Sequence, residues 1–498
     1  MRLKVASRKS DLARWQAVQV AHVFEALSEK PSIEFQFKSS FGDQNLDIPL
    51  AGMGARGVFT EDFYKDLVEG RCDMVVHSWK DLPIEEREST RIAMTMPRAD
   101  VRDAMLIPEP VWQKALQSKH LLVLTSSPRR IYNLSAALPR LLPGQLKIEF
   151  RNVRGNVPTR LQKMHDEGGA LVLAKAGLDR LLEAESEGFI PQDQSVRALT
   201  KGCRFVVLPV SLNPPAPAQG ALAVEIARVN EQVNQLCARL TDEVTFDCVQ
   251  MEREVLHKYG GGCHQKIGVA RLPRPYGLVC SLRGLTEEGE VLNEWRIENT
   301  TPWKKAESLK NVFPATAKDN SWFAREPLAF NESIRNHSAL FVARADGWPK
   351  EYLPQPGQVV WTAGVQTWMK LAEQGVFVNG CQDGLGESEP KRLEIMAGPL
   401  SWAKLTHQLA PETQVNTIAT YKLHPKDQTP DLRGCTHFFW MSRTTFERAW
   451  ALFPTEIANG YNACGPGLTY DFLNSFPKLR HPVKVFMGLE QFLHESLP

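Results

Sequence analysis

The sequence predicts an α/β protein of several domains, and three observations carry that expectation. Short apolar runs of strand length alternate with helix-length segments through the first two hundred residues, the pattern of mostly parallel sheets flanked by helices. The chain has 498 residues, more than one core organises, so three or four domains of ordinary size are expected. Hydrophobic residues make up 43% of it, the proportion of a soluble globular protein. No apolar run reaches the roughly 20 residues of a membrane span.

The elements follow in order. Residues 4–6 read as a first strand, 11–27 as a helix and 33–37 as a second strand. Residues 41–59 contain Gly42, Gly52, Gly54 and Gly57 and are long for a connection within a compact domain, so a lid is expected there. Thr60 is placed to cap a helix running to Val68, with Glu61 and Asp62 in its first turn. Residues 73–77 form a buried strand. A second alternation runs from about 96 to 198, and residues 209–219 are a proline-rich connector. From 221 the pattern opens on a long helix, continues with a second at 244–259, and turns to strands after Gly268. Residues 311–336 look like a linker, and the remainder from 338 is again α/β.

The charge pattern points to an anion. The net charge is only +2, yet Arg129, Arg130, Arg151, Arg154 and Arg160 crowd two strand-to-helix turns. Each turn follows an apolar run, at 121–124 and 146–150, and each holds a capping residue and a proline in the first helical turn. Helix N-termini present free N–H groups and partial positive charge, so arginines beside them suit a carboxylate- or phosphate-rich ligand. Without an anion, two arginines in a first turn oppose the dipole. Arg8 and Ser10 make a further turn of this kind after the first strand. Near-neutral charge without aromatic–basic interleaving argues against a nucleic-acid binder.

Two further motifs carry chemistry. Lys80 and Asp81 follow a buried strand, where α/β folds place their ligands. A carboxylate there stabilises a developing cation or moves a proton; the competing reading is a weak surface ion pair. Cys263 sits on the Gly260-Gly261-Gly262 turn beside His264 and Lys266, cations that favour a reactive thiol; the competing reading is an inert buried cysteine. The nine cysteines show no Cys-x-x-Cys pair and the 12 histidines no HExxH cluster, so reduced thiols and no metal are expected. The charged N-terminus lacks the apolar stretch of a signal peptide, which implies a cytoplasmic protein.

In register, these segments resemble hydroxymethylbilane synthase, also called porphobilinogen deaminase. The resemblance runs from Val5 to about Asn311. It rests on VASRKS at 5–10, HSWKDLP at 77–83, RADVRDA at 98–104, TSSPRR at 125–130, Arg154-Gly155-Asn156-Val157 with Thr159-Arg160, LAKAGLDR at 173–180, AQGA at 218–221 and Gly261-Gly262-Cys263. It implies a transferase that joins four porphobilinogen molecules into a linear tetrapyrrole with release of ammonia. It also implies a dipyrromethane cofactor tethered through Cys263. Asp81 is then the catalytic carboxylate. Lys80, Thr125, Ser126, Arg129 and Arg130 hold the cofactor together with Asp81. Arg8, Ser10, Arg98, Arg154, Arg160, Arg180 and Gln219 bind substrate. The implied fold has two domains of the periplasmic-binding-protein kind and a small α+β third. The boundaries are 1–96 with 198–220, then 97–197, then 221–312. The chain departs from the family at Phe41, Gly52, Arg56, Pro128 and His264-Gln265-Lys266.

Residues 338–498 resemble uroporphyrinogen-III synthase. The resemblance rests on Trp361-Thr362-Ala363-Gly364-Val365-Gln366-Thr367, Ala419-Thr420-Tyr421-Lys422, FFWMSRTTFERAWALFP at 438–454 and Cys464-Gly465-Pro466-Gly467-Leu468-Thr469. It implies a C-terminal α/β domain that closes the linear tetrapyrrole. Two alternatives stay open: a deaminase with a degenerate appendage, and a non-catalytic anion-binding protein. The expected partner is a small molecule, with neither nucleic acid nor membrane. The oligomeric state stays open, a monomer being sufficient.

Overall fold

A computed structural model describes residues 1–39, 60–260, 265–410 and 415–498. The expected lid, with Phe41, Gly52 and Arg56, therefore lies outside the described residues, as do Cys263 and His264. The chain divides into two compact units. Unit 1 holds residues 1–139, 146–271 and 281–293; unit 2 holds 140–145, 272–280 and 294–498. Among the described residues no helix is long and apolar enough to cross a membrane.

Unit 1 contains two five-stranded mixed sheets. The first is built from β1 (Arg2–Arg8), β2 (Ser32–Lys38), β3 (Met74–Ser78), β4 (Thr90–Met94) and a late strand, Leu222–Ala227. Its order is β2-β1-β3, then Leu222–Ala227, then β4. The first three run parallel, and the late strand is antiparallel to both its neighbours. Helix α1 (Asp11–Phe24) buries Gln16, Ala17, Val20, Ala21 and Phe24, a helical stripe. Its apolar members pack on Leu3, Val5, Met74 and Val76. Helix α2 (Glu61–Val68) follows Thr60, but the Thr60 hydroxyl accepts from Arg87 Nη2 and makes no cap bond.

The second sheet is built from β5 (Asp103–Pro108), β6 (His120–Leu124), β7 (Lys147–Arg151), β8 (Ala170–Ala174) and β9 (Cys203–Val207), in the order β7-β6-β8-β5-β9. Here β7, β6 and β8 are parallel, while β5 is antiparallel to β8 and β9. The interleaved helices are α3 (Glu109–Ser118), α4 (Pro128–Leu141), α5 (Val157–Asp166), α6 (Lys175–Ser186) and α7 (Val196–Thr200). The expectation of mostly parallel sheets gives way to mixed ones because the chain crosses between the sheets twice, at 95–102 and 208–221. Each crossing returns a strand in the opposite sense.

The crossings also place the divisions differently from the sequence expectation. β9 pairs with β5 in the second sheet, although 198–220 was assigned to the first domain. The strand Leu222–Ala227, here β10, completes the first sheet, where a helix was expected from 221. The helices come next, as α8 (Glu231–Ala238) and α9 (Glu243–Lys258), followed by a three-stranded sheet of β11 (Gly268–Arg274), β12 (Gly277–Leu285) and β13 (Val291–Glu298).

Unit 2 has two sheets of its own. One joins β14 (Val312–Phe313), β21 (His437–Trp440), β22 (Tyr461–Cys464) and β23 (Lys484–Val485) in that order, all parallel. The other has six strands, ordered β15 (Phe323–Pro327), β20 (Asn416–Pro425), β19 (Trp402–His407), β16 (Ala339–Val342), β17 (Val359–Thr362) and β18 (Gly380–Cys381). Only the β15–β20 pair is antiparallel. The expected linker at 311–336 thus contributes a strand to each sheet. Trp322, Phe438, Trp440 and Phe446 pack into one buried core. Ser442 caps the helix Arg443–Leu452 by accepting from Thr445 N at 3.2 Å, as the hydroxyl turn predicts. Tyr421 lies in the middle of β20.

Candidate functional site

The site grows from sheet edges. Neighbouring parallel strands deliver their C-terminal ends to the same edge, so Arg8 after β1 and Lys80-Asp81 after β3 emerge side by side. The same logic brings the two arginine turns together, because β6 and β7 are parallel neighbours. Ser126 fastens these turns. Its hydroxyl donates to Val153 O and accepts from Val153 N at 2.9 Å. Thr125 is buried, and its hydroxyl accepts from Ser127 N at 3.3 Å. In the second turn Asn156 caps α5, its side-chain oxygen accepting from Thr159 N at 2.9 Å. Gly155 has φ +116°, and a Cβ there would stand 2.7 Å from the Thr159 side chain, so the turn requires glycine.

Asp81 is the last residue of a one-turn helix, Trp79–Asp81, and its side chain is exposed. The turn is pinned by Trp79 N donating to Ala221 O at 3.1 Å, on the second crossing. Lys80 Nζ donates to Gln219 Oε1 at 3.3 Å. Desolvation by the surrounding protein pushes the Lys80 pKa down to about 8; Asp81 opposes this and Arg130 adds to it. Arg160 is lowered by burial and by Arg130, raised by Asp81 and lowered by Arg154. Those mutual influences place Lys80, Asp81, Arg129, Arg130, Arg154 and Arg160 in one electrostatic neighbourhood.

Arg129 and Arg130 are both buried, and the anion expected for them is partly internal. Asp103, fully buried on β5, accepts from Arg129 Nη2 at 3.0 Å and from Arg130 Nε and Nη2 at 3.0 and 2.7 Å. It also accepts from Asn213 Nδ2 and Gln219 Nε2, both at 2.8 Å. Burial alone would raise the Asp103 pKa, but Arg130 and Arg129 hold it far below the usual carboxylate range. The pair is therefore compensated within the fold, a cost the sequence had assigned wholly to a ligand. An excess of positive charge survives: Lys80, Arg129, Arg130, Arg154 and Arg160 give five cations against Asp81 and Asp103, a difference of three.

Other predicted binding residues serve the frame. Arg98 makes a bidentate pair with buried Glu252, at 2.6 and 2.8 Å, and donates through Nε to Gln219 O. Glu252 also accepts from Ala218 N and Arg271 N, each at 2.8 Å. Arg180 Nη2 donates to Gly220 O at 2.9 Å, and Arg160 Nε to Gly155 O at 2.7 Å. Ser10 sits at the N-cap of α1 without a side-chain cap bond. Gln219 joins the lobes: its oxygen faces Lys80 and its amide nitrogen faces Asp103 and Val101 O. Cys263, the predicted tether, lies outside the described residues.

Sequence reasoning missed Asp103 and Glu252 as organising carboxylates, and His77 with Glu225. His77 Nε2 lies 3.0 Å from Glu225 Oε2, and Thr90 Oγ1 donates to Glu225 Oε1 at 2.6 Å, all buried. Asp103 does fall in the RADVRDA segment, the one signal that could have flagged it. On metals, one triad among the described residues brings its donor atoms within 4.8 Å, Cys280 with Glu294 and Glu298. Arg296 pairs with both glutamates.

The surplus cations in the neighbourhood of Asp81 fit a dipyrromethane, a carboxylate-rich pyrrole pair. Comparison with known proteins agrees. The family described as "Porphobilinogen deaminase, dipyromethane cofactor binding domain" matches residues 3–235. The porphobilinogen deaminase of Neisseria meningitidis serogroup A is 33% identical over 326 residues, covering 65% of this chain and 96% of that protein. That of Bordetella parapertussis is 33% identical over 310 residues, 62% of this chain and 90% of the relative. That of Syntrophomonas wolfei is 34% identical over 285 residues, 57% and 84% respectively. A solved structure, the reduced form of the regulatory domain of OxyR2 from Vibrio vulnificus, matches at 12% identity over 48% of this chain and 94% of its own, with a TM-score of 0.24, too low to bear on the architecture. The chain belongs to the porphobilinogen deaminase family, a family of transferases, and carries that family's dipyrromethane cofactor binding domain.

Proposed function

We propose that unit 1 condenses four porphobilinogen molecules into a linear tetrapyrrole with release of ammonia. The observation that carries this reading is one exposed carboxylate, Asp81, set among five cations beside the sheet edges. Dipyrromethane, bound through Cys263, supplies the pyrrole end from which the chain grows. Lys80, Thr125, Ser126, Arg129 and Arg130 hold its carboxylates, and Arg8, Ser10, Arg154 and Arg160 take those of incoming substrate. Asp81 stabilises the cationic pyrrole left when the C–N bond breaks and ammonia departs. The new C–C bond then forms, and the ring carbon attacked releases its proton. Arg98, Arg180 and Gln219 act by positioning the crossings and Lys80.

In this reading the first sheet, with β10, is one deaminase lobe and the second sheet, with β9, is the other. The sheet β11–β13 with α9 is the third domain and bears Cys263. The two mixed sheets, bridged twice, support lobes of the periplasmic-binding-protein kind. The reading also places the protein in the cytoplasm. Intact-mass measurement of the purified protein tests it. An adduct of two pyrrole units is expected, absent from Cys263→Ala; an unmodified, folded wild-type chain overturns the reading.

Unit 2 carries a second reading, tetrapyrrole closure to uroporphyrinogen III. It is supported by two separate, mainly parallel sheets and by the capped hydroxyl turn at Ser442. With porphobilinogen as sole substrate, the type III isomer is expected; type I alone makes unit 2 a non-catalytic appendage.

A further inference from the structure

Unit 1 holds a cavity of about 830 Å³ beside α4 and the turn before it. That volume is typical of small-molecule sites, roughly 300–1,000 Å³. Pro128, Ile131, Tyr132, Ser135 and Ala136 line it at helical spacing, forming one stripe of α4, while Arg129 and Arg130 of the same helix bond to Asp103. Lys266, Arg283 and the β13 residues Leu292 and Asn293 complete the wall. Among the described lining residues there are two cations, Lys266 and Arg283, and no carboxylate. Another cavity of unit 1, beside Trp79, mixes Glu85, Glu86 and Glu225 with Arg87 and Arg253.

Asn133 supplies the second observation. It lines the cavity, is 1% exposed, and both its side-chain nitrogen and oxygen lack a hydrogen-bond partner. Leaving a buried amide unpaired on both sides is costly, and native folds avoid it unless something else fills the site. The missing group must accept from Nδ2 and donate to Oδ1.

We propose that this cavity binds a small organic carboxylate with a flat, N–H-bearing apolar body. Lys266 and Arg283 take the carboxylate, Asn133 reads the ring N–H, and Ile131, Ala136 and Leu292 cover the ring. Ser126 and Asn152 also line it, so the cavity borders the turns that hold the cofactor, but Asp81, Lys80 and Arg154 are not among its lining residues. Lys266 follows Cys263 by three residues, so the tethered group itself is the rival occupant, and the cofactor-loaded protein is the form to test.

The probe is pyrrole-2-carboxylate, titrated calorimetrically into the holoenzyme; it lacks an aminomethyl group, so the result does not depend on turnover. Beside any binding at the substrate arginines, a saturable site that persists in Arg154→Ala is expected. Affinity should fall by about tenfold or more in Asn133→Leu, in Lys266→Gln, and for uncharged pyrrole on the wild type. Lys266 is exposed, so its variant decides the matter if Asn133→Leu fails to fold. Arg154→Ala, altered in the Asp81 site, should bind the probe as the wild type does. The proposal is overturned by no saturation at millimolar probe, by affinity unchanged in Lys266→Gln, by loss in Arg154→Ala, or by binding confined to cofactor-free Cys263→Ser.

Discussion

Asp103→Asn keeps the shape of the side chain and removes its charge. Its Oδ2 accepts from Arg129 Nη2, Arg130 Nε and Asn213 Nδ2, and its Oδ1 from Arg130 Nη2 and Gln219 Nε2. An asparagine best keeps its oxygen toward the three donors, which turns an NH₂ group against the other two. Two buried guanidinium groups then share no anion. Breaking a buried pair from one side costs about 3–5 kcal/mol. For a unit of this size that lowers the calorimetric midpoint by roughly 6–20 °C at neutral pH. The pH dependence gives a second readout. The folded-state pKa of Asp103 is depressed, so its stabilisation is full above the unfolded value near 4 and is withdrawn as pH falls below it. The gap between wild type and variant should therefore narrow by about 1 kcal/mol on going from pH 5 to pH 3. Equal midpoints at neutral pH, or a gap that does not change with acid, would refute the assignment of Asp103 as the internal counter-ion.

Three further outcomes are expected. In cofactor-free Cys263→Ser protein, reductive methylation followed by mass spectrometry should find Lys80 half-reactive near its lowered pKa of about 8, below ordinary lysines; because that folded value lies under 10.5, stability should rise with pH between the two. Asn156→Ala removes the cap of α5 and should cost about 1 kcal/mol in urea unfolding, with no change at the Asp103 cluster. Phe446→Ala empties a fully buried site in the aromatic core of unit 2 and should cost about 3–5 kcal/mol, read as a lower midpoint for the transition of that unit.

The local features were legible in the sequence. The first strand and helix, the strand before Lys80, and the two arginine turns with their prolines and the Asn156 cap all depend on neighbours a few residues apart. What escaped depends on distant partners. The strand Leu222–Ala227 carries Glu225 at its centre, which breaks an apolar run; only His77 and Thr90, far away in sequence, make that carboxylate tolerable in the core. Its return to the first sheet is a pairing with no local sign. Strand β15 reads FAREP and is mostly exposed, so its composition suggested a linker, whereas charge and proline are common on an edge strand. The arginines were rightly seen as anion seekers, but Asp103, their buried partner, was hidden in a segment noted only for its resemblance.

Glu252 holds more than an ion pair. One carboxylate grips Arg98 on the first crossing, the backbone of Ala218 on the second, and the backbone of Arg271 on β11, while itself riding on α9. Gly220 tightens the same junction, for a Cβ there would meet Ala99 O at 2.8 Å. The two crossings are thus clamped to one lever. Any change in the angle between the first two sheets must drag α9 with it. The two crossings and the helix then behave as a single mechanical part, and a force applied to either sheet is felt along α9.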